Sequence, residues 1–224
     1  MSDADLRTEA MVLRRTNYGE TDRILNLLTP DGKISCLAKG VRKEKSKLAG
    51  GIELFTLSEV VLHKSPKSDL ALLTAAKMKA FYNNLLSDYS RLELASKILK
   101  ELNRITDQVD SKDFFEILKQ SLEGLNNGYD LRLVETWFNF NLARARGEQI
   151  NLLTDTSGEK LQANLKYVWD STDEALKPLE NGNIGADEIK IMRLILVSPL
   201  ALIGRIKGLE KHLDRIEYIS KSVI

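Results

Sequence analysis

The chain has 224 residues, of which 43% are hydrophobic and 29% are charged, a composition typical of a globular protein with one large domain or two small ones. Its 33 basic and 32 acidic side chains nearly cancel, yet residues 1–80 hold 14 basic against 10 acidic ones, which concentrates positive charge in the N-terminal part. The single cysteine, Cys36, excludes an internal disulfide and any multi-cysteine zinc site.

The sequence also predicts where the protein works. Its first residues are acidic and polar, unlike a secretory or mitochondrial targeting segment. The longest apolar stretch, 194–203, is about half as long as a membrane span and contains Pro199. We therefore expect a cytoplasmic protein without a membrane partner.

Five short apolar or alternating runs in the first eighty residues predict β-strands. They lie at 10–14, 23–28, 33–38, 52–62 and 70–74. Turn-forming sequences separate them, and the Thr29–Gly32 tetrapeptide is the strongest, because its proline presets φ and its glycine accepts a positive φ. Five strands in about 75 residues indicate a small barrel of the OB type, although an SH3-like barrel would give a similar pattern.

From residue 81 onward the apolar period becomes helical. The predicted helices lie at 89–105, 111–126, 130–146, about 171–179, 186–197 and 200–220, with Pro199 separating the last two. The third is apolar on most sides and should be the most buried helix. The segment 149–168 is predicted to be a loop or a small hairpin. The predicted fold class is therefore α+β, with a five-stranded OB-type barrel at 1–79 and an all-α helical domain at 80–224.

Common catalytic motifs are missing from the sequence, which contains no P-loop, no GxGxxG after a strand and no HExxH. The two histidines, His63 and His212, fall in different predicted domains, so neither forms an evident nucleophilic pair with Cys36. We therefore predict no catalytic residue, no bound metal and no cofactor, and a protein that is not an enzyme.

The most informative stretch of the chain is strongly basic. Between Lys39 and Lys47 it holds five cations against the single acid Glu44, and Gly40 stands near its beginning. The five cations are Lys39, Arg42, Lys43, Lys45 and Lys47. Cations held close together on a loop repel one another, so a polyanion is their natural partner. The alternative is a solvated, mobile loop without a ligand.

Three arginines, Arg14, Arg15 and Arg23, precede this stretch on the first two predicted strands. They are further candidate contacts for nucleic acid, because OB-type barrels bind single strands through a face and its loops. Glu20 and Asp22 lie close by in the sequence, and we expect them to be ion-pair partners of the arginines rather than metal ligands.

About 45 contiguous residues resemble the N-terminal domain of the RecO family, the bacterial recombination-mediator proteins of DNA repair. The matching elements are YGETDR at 18–23, LTPxGKIS at 28–35, AKGVR at 38–42, SKL at 46–48 and LF at 54–55. Five successive elements make a more specific signal than any one motif. The C-terminal region is similar only in helix order and in an interrupting segment after the third long helix.

The resemblance implies an OB-fold followed by a helical domain, binding of single- and double-stranded DNA, and annealing of complementary strands at gaps and breaks. It implies RecR and the C-terminal tail of single-strand-binding protein as partners, indirect assistance to RecA, and association with the nucleoid. Many relatives carry a four-cysteine zinc site where this chain reads LTDTSGE at 153–159. Either zinc is dispensable here, or packing of Tyr167 and Trp169 holds the segment.

The acidic C-terminal tail of single-strand-binding protein ends in an apolar side chain and a carboxylate. Its binding site therefore needs an apolar groove with cations at the rim. The segment 190–215 offers both kinds of residue. The candidate tail-binding residues are Leu194, Leu202, Arg193, Arg205 and Lys207. The alternative is a core helix whose basic residues merely face water.

The sequence thus predicts a DNA-binding mediator that anneals single strands, with the basic stretch and the barrel face as its DNA surface. Two other functions fit the same pattern. An RNA-binding OB module would prefer nucleic acid with a 2′-hydroxyl. A helical protein-interaction adaptor would show no salt-sensitive affinity for DNA.

Overall fold

The computed structural model describes residues 4–65, 68, 70–148 and 150–224. The chain divides into two compact units, Met1–Asn126 and Asn127–Ile224. The first unit contains the strands predicted for a barrel and also the first two long helices. The predicted division into an OB-type domain at 1–79 and a helical domain at 80–224 stays a prediction.

Five strands of the first unit form an OB-like barrel, which confirms the predicted fold class. They are β1 (Ala4–Tyr18), β2 (Asp22–Thr29), β3 (Gly32–Ala38), β4 (Thr56–Lys64) and β5 (Ala71–Phe81). Their order around the barrel is β1-β2-β3-β5-β4, and β1 closes the ring on β4. The closure between β3 and β5 is short and parallel; among the described residues it consists of the pairs Cys36↔Ala71 and Leu37↔Leu72.

The barrel core follows from the alternation within the strands. Val12 of β1, Leu25 and Leu27 of β2, and Val60 and Leu62 of β4 belong to one buried apolar cluster. Side chains two residues apart on a strand point to the same face, so these residues line one interior. The β2–β3 turn has the predicted chemistry, because Gly32 adopts a φ of 116° that other residues rarely tolerate.

One predicted strand begins later than its sequence pattern indicates. The run 52–62 was expected to be continuous, but residues Ala49–Ile52 form a short 3-10 helix and β4 begins only at Thr56. Phe55 adopts a φ of 61° immediately before the strand, which interrupts the extended backbone. Alternation alone predicts neither the helical turn nor the positive φ.

Two helices complete the first unit. Helix α1 (Tyr89–Ile105) has the predicted bounds, and the Asp88 carboxylate caps it by accepting from the backbone N–H groups of Ser90 and Arg91. Helix α2 (Asp113–Asn126) begins after Ser111, whose hydroxyl accepts from the Asp113 N–H at 3.3 Å. Ser111 is thus near the predicted N-terminus of this helix.

The second unit is mainly helical, and α3 (Leu131–Ala145) is heavily buried, as predicted. Ten of its residues are buried, including Trp137 and Phe140. The helices that follow the middle segment are α4 (Ala186–Val197), α5 (Leu200–Ile203) and α6 (Glu210–Ser222). Pro199 separates α4 from α5, as expected, because proline cannot donate the backbone hydrogen bond that would continue a helix.

The interrupting segment forms a small sheet where the sequence predicted a loop or hairpin. Its strands are β6 (Asn151–Asp155), β7 (Tyr167–Asp170) and β8 (Ala175–Pro178), in the order β6-β8-β7. The predicted helix at 171–179 is therefore wrong. The Asp170 carboxylate accepts from the backbone N–H groups of Thr172 and Asp173, and Glu174 has a φ of 47°, so the chain turns here.

The predicted helix at 200–220 is also broken in two. Helix α5 ends at Ile203, and α6 begins only at Glu210. Gly208 has a φ of 79° in the connection, a conformation that a right-handed helix cannot include. The apolar period continues across the break, and for this reason periodicity alone predicted one helix.

Candidate nucleic-acid interface

The five cations between Lys39 and Lys47 lie on a loop that leaves the barrel at the end of β3. We call residues 39–47 the basic loop. Gly40 begins a tight turn with a φ of 63°, and its carbonyl accepts from the Lys43 N–H at 3.1 Å. The Lys43 carbonyl then accepts from the Ser46 N–H at 3.0 Å. Two successive turns therefore compact the loop and keep its cations close together.

The backbone of the basic loop is fixed to the barrel at both ends. Val41 is only 3% exposed and belongs to the barrel core cluster, and Leu48 and Ala49 pack against the same cluster. The Arg42 N–H donates to the Thr21 carbonyl at 2.9 Å, which ties the loop to the β1–β2 turn. These contacts favour a loop with a fixed backbone over the mobile alternative. The long side chains of its five cations remain exposed to water.

Asp22 provides a further anchor, in a role that the sequence analysis missed. Its carboxylate accepts from the Gly40 N–H at 2.7 Å and from the Thr21 hydroxyl at 3.0 Å. These hydrogen bonds, together with the charges of Lys39 and Lys43, lower the pKa of Asp22. The expected ion pair between Asp22 and the strand arginines does not form in the described part of the chain. The sequence contains one local signal for this role. Asp22 begins β2, and the strand paired with it, β3, is followed by the turn at Gly40.

The basic-loop cations are available to an external anion. Lys39, Arg42, Lys43, Lys45 and Lys47 are all exposed. Within the described residues, no salt bridge involves any of the five, although the Arg42 guanidinium donates to the Gly19 carbonyl at 3.4 Å. Unneutralised cations held on a fixed backbone produce the positive potential that attracts a polyanion.

The three strand arginines have different surroundings and do not form one cluster. The Arg15 guanidinium donates to the Glu53 carboxylate at 2.5 Å, so its charge is already paired. The Arg23 Nε donates to the Asn17 side chain at 3.3 Å. Arg14 is exposed and lines a groove between β1 and α1. Of the three, Arg14 is best placed to meet an anion.

The candidate tail-binding residues lie on α4, α5 and the connection that follows. Leu194 is 44% exposed and Leu202 is 53% exposed, which is unusual for large apolar side chains. Arg205 and Lys207 are exposed beyond the end of α5. Arg193 is engaged, because its guanidinium donates twice to the Leu152 carbonyl, at 3.0 and 2.6 Å.

The titratable residues considered for catalysis or metal binding each have surroundings of their own. Cys36 is buried in the barrel core, and burial raises the pKa of its thiol to about 12. His63 contacts Asp5, and His212 contacts Glu188. No group of three or more potential metal ligands occurs among the described residues. In the same part of the chain, no helix is both long and apolar enough to span a membrane.

Comparison with known proteins identifies the family. Residues 1–82 match the family described as "Recombination protein O N terminal". A DNA repair protein RecO of Dehalococcoides mccartyi (strain CBDB1) is 32% identical over 221 residues, a match that covers 95% of this chain and 87% of that protein. One from Roseiflexus sp. (strain RS-1) is 33% identical and covers 95% of this chain and 72% of its own. The agreement extends through both compact units, and the chain belongs to the RecO family of DNA repair proteins.

Proposed function

We propose that the protein acts in DNA repair and recombination by binding single-stranded DNA and annealing complementary strands. The observation that carries this proposal is the basic loop, which holds five exposed cations on a backbone fixed to an OB-like barrel. Family membership supports the general role in repair. The geometry of the loop supports the charge-based mechanism.

Annealing requires two negatively charged strands to approach each other. The cations of the basic loop would pair with phosphates and release their counterions, which lowers the repulsion between the strands. Phosphate contacts carry no base sequence, so complementary bases remain free to select their partners. The protein would then lower the barrier to pairing without making or breaking a covalent bond.

The annealing rate of two complementary labelled oligonucleotides tests this mechanism. We define the loop variant as Lys39, Arg42, Lys43, Lys45 and Lys47 all changed to alanine. The control variant carries alanine at Lys64, Lys77 and Lys112, three exposed lysines outside the loop. We expect the loop variant to anneal more slowly by at least about tenfold, because several phosphate contacts are lost together. The control variant should anneal at nearly the parental rate.

Two outcomes would count against this mechanism. A folded loop variant that anneals at the parental rate would leave the loop without a role in annealing. A control variant that is impaired as strongly as the loop variant would mean that net charge, not the loop, determines the rate. Binding that is tighter to RNA than to DNA of the same sequence would favour an RNA-binding module instead.

The family also suggests protein partners, and we propose three. RecR would act with this protein on DNA. RecA would be assisted indirectly, because the protein would help to load this recombinase onto DNA at gaps and breaks. Single-strand-binding protein would contribute its acidic C-terminal tail. Co-sedimentation of purified proteins, with and without single-stranded DNA, tests each of these partners separately.

The second unit provides a specific feature for the acidic tail. Leu194, Val197 and Leu202 are 44%, 79% and 53% exposed, and Arg205 and Lys207 are exposed close by in the sequence. Exposed apolar side chains with exposed cations near them in the sequence offer both kinds of contact that a peptide ending in an apolar side chain and a carboxylate needs. We do not expect Arg193 to be needed for the peptide, since its hydrogen bonds to Leu152 hold α4 against β6.

Fluorescence anisotropy with a labelled tail peptide tests this surface. We expect the double substitution Arg205→Glu and Lys207→Glu to weaken binding by about tenfold or more, because it reverses two charges at the rim. The matched control is Lys160→Glu with Lys177→Glu, on the small sheet region of the same unit. If both double variants bind the tail peptide with the same affinity, the tail binds elsewhere on the protein.

A further inference from the structure

A small cavity of the second unit has no part in the functions proposed above. Its volume is about 240 Å³, whereas sites for drug-sized ligands usually measure about 300 to 1,000 Å³. The cavity is lined by apolar, aromatic and charged side chains together, among them Ile150, Val223, Trp169, Arg146, Glu148 and Glu174. We call it the Trp169 cavity. A ligand that fits it must be small and must suit this mixed lining.

Two helices end at the Trp169 cavity. Helix α3 ends at Ala145, and Arg146, which follows it directly, lines the cavity. Helix α6 ends at Ser222, and both Ser222 and Val223 line the cavity. The C-terminal end of a helix carries a partial negative charge, because its last carbonyl groups point the same way and have no partner within the helix. Both helix ends therefore favour a cation in the cavity.

The charged side chains of the lining have the same preference. Arg146 is already paired, because its guanidinium lies 2.5 Å from the Glu148 carboxylate. Glu174 is exposed and forms no salt bridge or hydrogen bond with the residues that the structure describes. The carboxylates of Glu148 and Glu174 thus outnumber the one guanidinium. An anionic ligand would be repelled by this excess of negative charge and by both helix ends.

Trp169 presents the carbon surface of its indole to the cavity. The indole Nε1 is buried, although Trp169 as a whole is partly exposed and lines the cavity. Ring carbons, and not the N–H group, therefore form this part of the lining. An indole ring attracts a cation through its negative face, and a planar guanidinium also stacks on it.

The turn that carries Glu174 is held on both sides. Before it, the Asp170 carboxylate accepts from the backbone N–H groups of Thr172 and Asp173, at 2.9 and 3.3 Å. After it, Ala175 is buried and pairs with Asp170 in the small sheet. The backbone of Glu174 is thus fixed before any ligand binds, which lowers the entropic cost of binding.

We propose that the Trp169 cavity binds a small organic cation, namely a guanidinium group on an apolar stem. The guanidinium pairs with the carboxylates of Glu174 and Glu148 and lies on the Trp169 ring, and the stem contacts Ile150 and Val223. A guanidinium suits this lining because it is planar, weakly hydrated, and able to meet a carboxylate through two parallel hydrogen bonds. Such a group comes either from a free molecule or from an arginine side chain of a partner polypeptide.

Binding at the Trp169 cavity does not depend on the DNA-binding function, because the cavity belongs to the second unit and the basic loop to the first. The loop variant should therefore bind the cation like the parent. Loss of DNA binding in the loop variant with cation binding retained would separate the two sites. If the parent anneals DNA but binds no cation, only the assignment of the cavity is wrong.

Fluorine NMR of the full chain labelled with fluorotryptophan tests the site. The chain has two tryptophans, Trp137 and Trp169, and the substitution Trp169→Phe assigns their two signals. The probes are N-acetylarginine amide and its neutral isostere N-acetylcitrulline amide. We expect the arginine probe to shift the Trp169 signal until saturation and to leave the signal of buried Trp137 in place. The citrulline probe should bind at least about tenfold more weakly, because it lacks the charge. Equal binding of the two probes, or no saturable shift of the Trp169 signal, would overturn the proposal.

Equilibrium dialysis with a labelled arginine probe tests the carboxylates. The cavity variant is Glu148→Gln with Glu174→Gln, and the matched control is Glu159→Gln with Glu180→Gln, two exposed acids of the same unit outside the cavity. We expect the cavity variant to bind at least about tenfold more weakly than the parent, because both charged contacts are lost. The control should bind like the parent. An unchanged Trp137 signal shows that a variant is folded, and a folded cavity variant with parental affinity would contradict the proposal.

Butylguanidinium distinguishes the two sources of the cation, because it has the head and the stem without a peptide backbone. Affinity equal to that of N-acetylarginine amide would assign the cavity to a free cation. Affinity at least about tenfold weaker would assign it to an arginine of a polypeptide, whose backbone then adds hydrogen bonds.

Discussion

The Asp22 carboxylate lies near the loop cations Lys39 and Lys43, yet its hydrogen bonds go to the Gly40 backbone and the Thr21 hydroxyl. An isolated negative charge near a DNA site should weaken DNA binding by repulsion. The hydrogen bond to Gly40 has the opposite effect, because it holds the turn from which the loop cations project. The two effects predict opposite changes in DNA affinity when Asp22 is replaced by alanine.

We expect Asp22→Ala to weaken binding of single-stranded DNA by about threefold to tenfold, because a lost hydrogen bond of about 1 kcal/mol releases the Gly40 turn. Asp22→Asn is the matched control, since its side-chain oxygen can still accept from Gly40 without the negative charge. It should bind at least as tightly as the parent. Tighter binding by Asp22→Ala would mean that repulsion dominates and that the anchor is unimportant.

Glu188 is a buried carboxylate that joins two helices of the second unit. Its side chain is 5% exposed and accepts from the Gly185 N–H at 2.9 Å, from Arg215 at 2.6 Å, and contacts His212 Nδ1 at 2.8 Å. Burial raises the pKa of Glu188, but the hydrogen bonds from His212, Gly185 and Arg215 outweigh it and lower the pKa to about 2. The ionised form is therefore the one that stabilises the fold.

The low pKa of Glu188 predicts how stability depends on pH. A folded pKa below the unfolded value of about 4.3 means that the stabilisation is present above that value and is lost as pH falls toward 2. We expect Glu188→Gln to lower the free energy of unfolding by about 2 to 3 kcal/mol at pH 7, because it breaks a buried charge network. Urea unfolding at pH 7 and pH 3 should show a smaller difference between variant and parent at pH 3. An equal difference at both pH values would contradict the pKa argument.

At the scale of elements, the short helix Ala49–Ile52 connects the basic loop to the barrel. Gly51 is buried there, and a Cβ at its position would lie 2.7 Å from backbone atoms of Ala76 on β5. This close approach is possible only without a side chain. The adjacent Gly50 is exposed and has no atom within 4 Å of such a Cβ.

The two glycines give a matched pair of substitutions. We expect Gly51→Ala to lower the free energy of unfolding by about 1 to 3 kcal/mol, since the helix must move away from β5. Gly50→Ala should change it by no more than about 0.5 kcal/mol in either direction. Thermal unfolding of both variants measures the difference. Equal midpoints would indicate that the loop connection does not need the close contact.

The small sheet of the second unit includes residues 153–155, and the stretch 153–159 contains no cysteine. Tyr167 is fully buried, and its hydroxyl accepts from the Gln162 N–H at 2.7 Å. Gly182 approaches the Tyr167 backbone so closely that a Cβ would lie 2.4 Å from its carbonyl oxygen. Packing and hydrogen bonds around Tyr167 can therefore stabilise the sheet, whereas the buried Trp169 indole N–H has no hydrogen-bond partner among the described residues.

We expect this sheet to fold without metal. A chelator should leave the midpoint of thermal unfolding unchanged, and elemental analysis should find less than one zinc per chain. Tyr167→Ala should lower the free energy of unfolding by about 3 kcal/mol or more, because it removes a buried aromatic ring. A large fall in the midpoint with chelator would show that a metal contributes to folding.

Across the whole molecule, the sequence predicted best those elements whose signals are local. The bounds of α1 and α4 were predicted correctly, because their apolar period lies within the element itself. The five barrel strands were found for the same reason, although the pattern underestimated β1 and β5. Local periodicity therefore accounts for most of the fold.

The features that the sequence did not predict depend on backbone conformation or on distant partners. Phe55 and Glu174 have positive φ values, which ordinary propensities do not anticipate, and each lies inside a predicted element and interrupts it. The small sheet pairs β6 with β8, although β7 lies between them in the sequence, so this pairing has no local signal. The same holds for the candidate site: the loop cations are evident in the sequence, whereas the Asp22 anchor can be seen only in the fold.

The central claim concerns the basic loop as a DNA-binding surface, and the salt dependence of binding tests it most directly. For single strands, log affinity falls with log salt by about 0.7 for each neutralised phosphate. The loop variant should therefore show a slope shallower than that of the parent by about 3 to 4, equally on every DNA sequence, if all five cations engage. The control variant should retain the parental slope. A folded loop variant with the parental slope and affinity would contradict the account and move the DNA site away from residues 39–47.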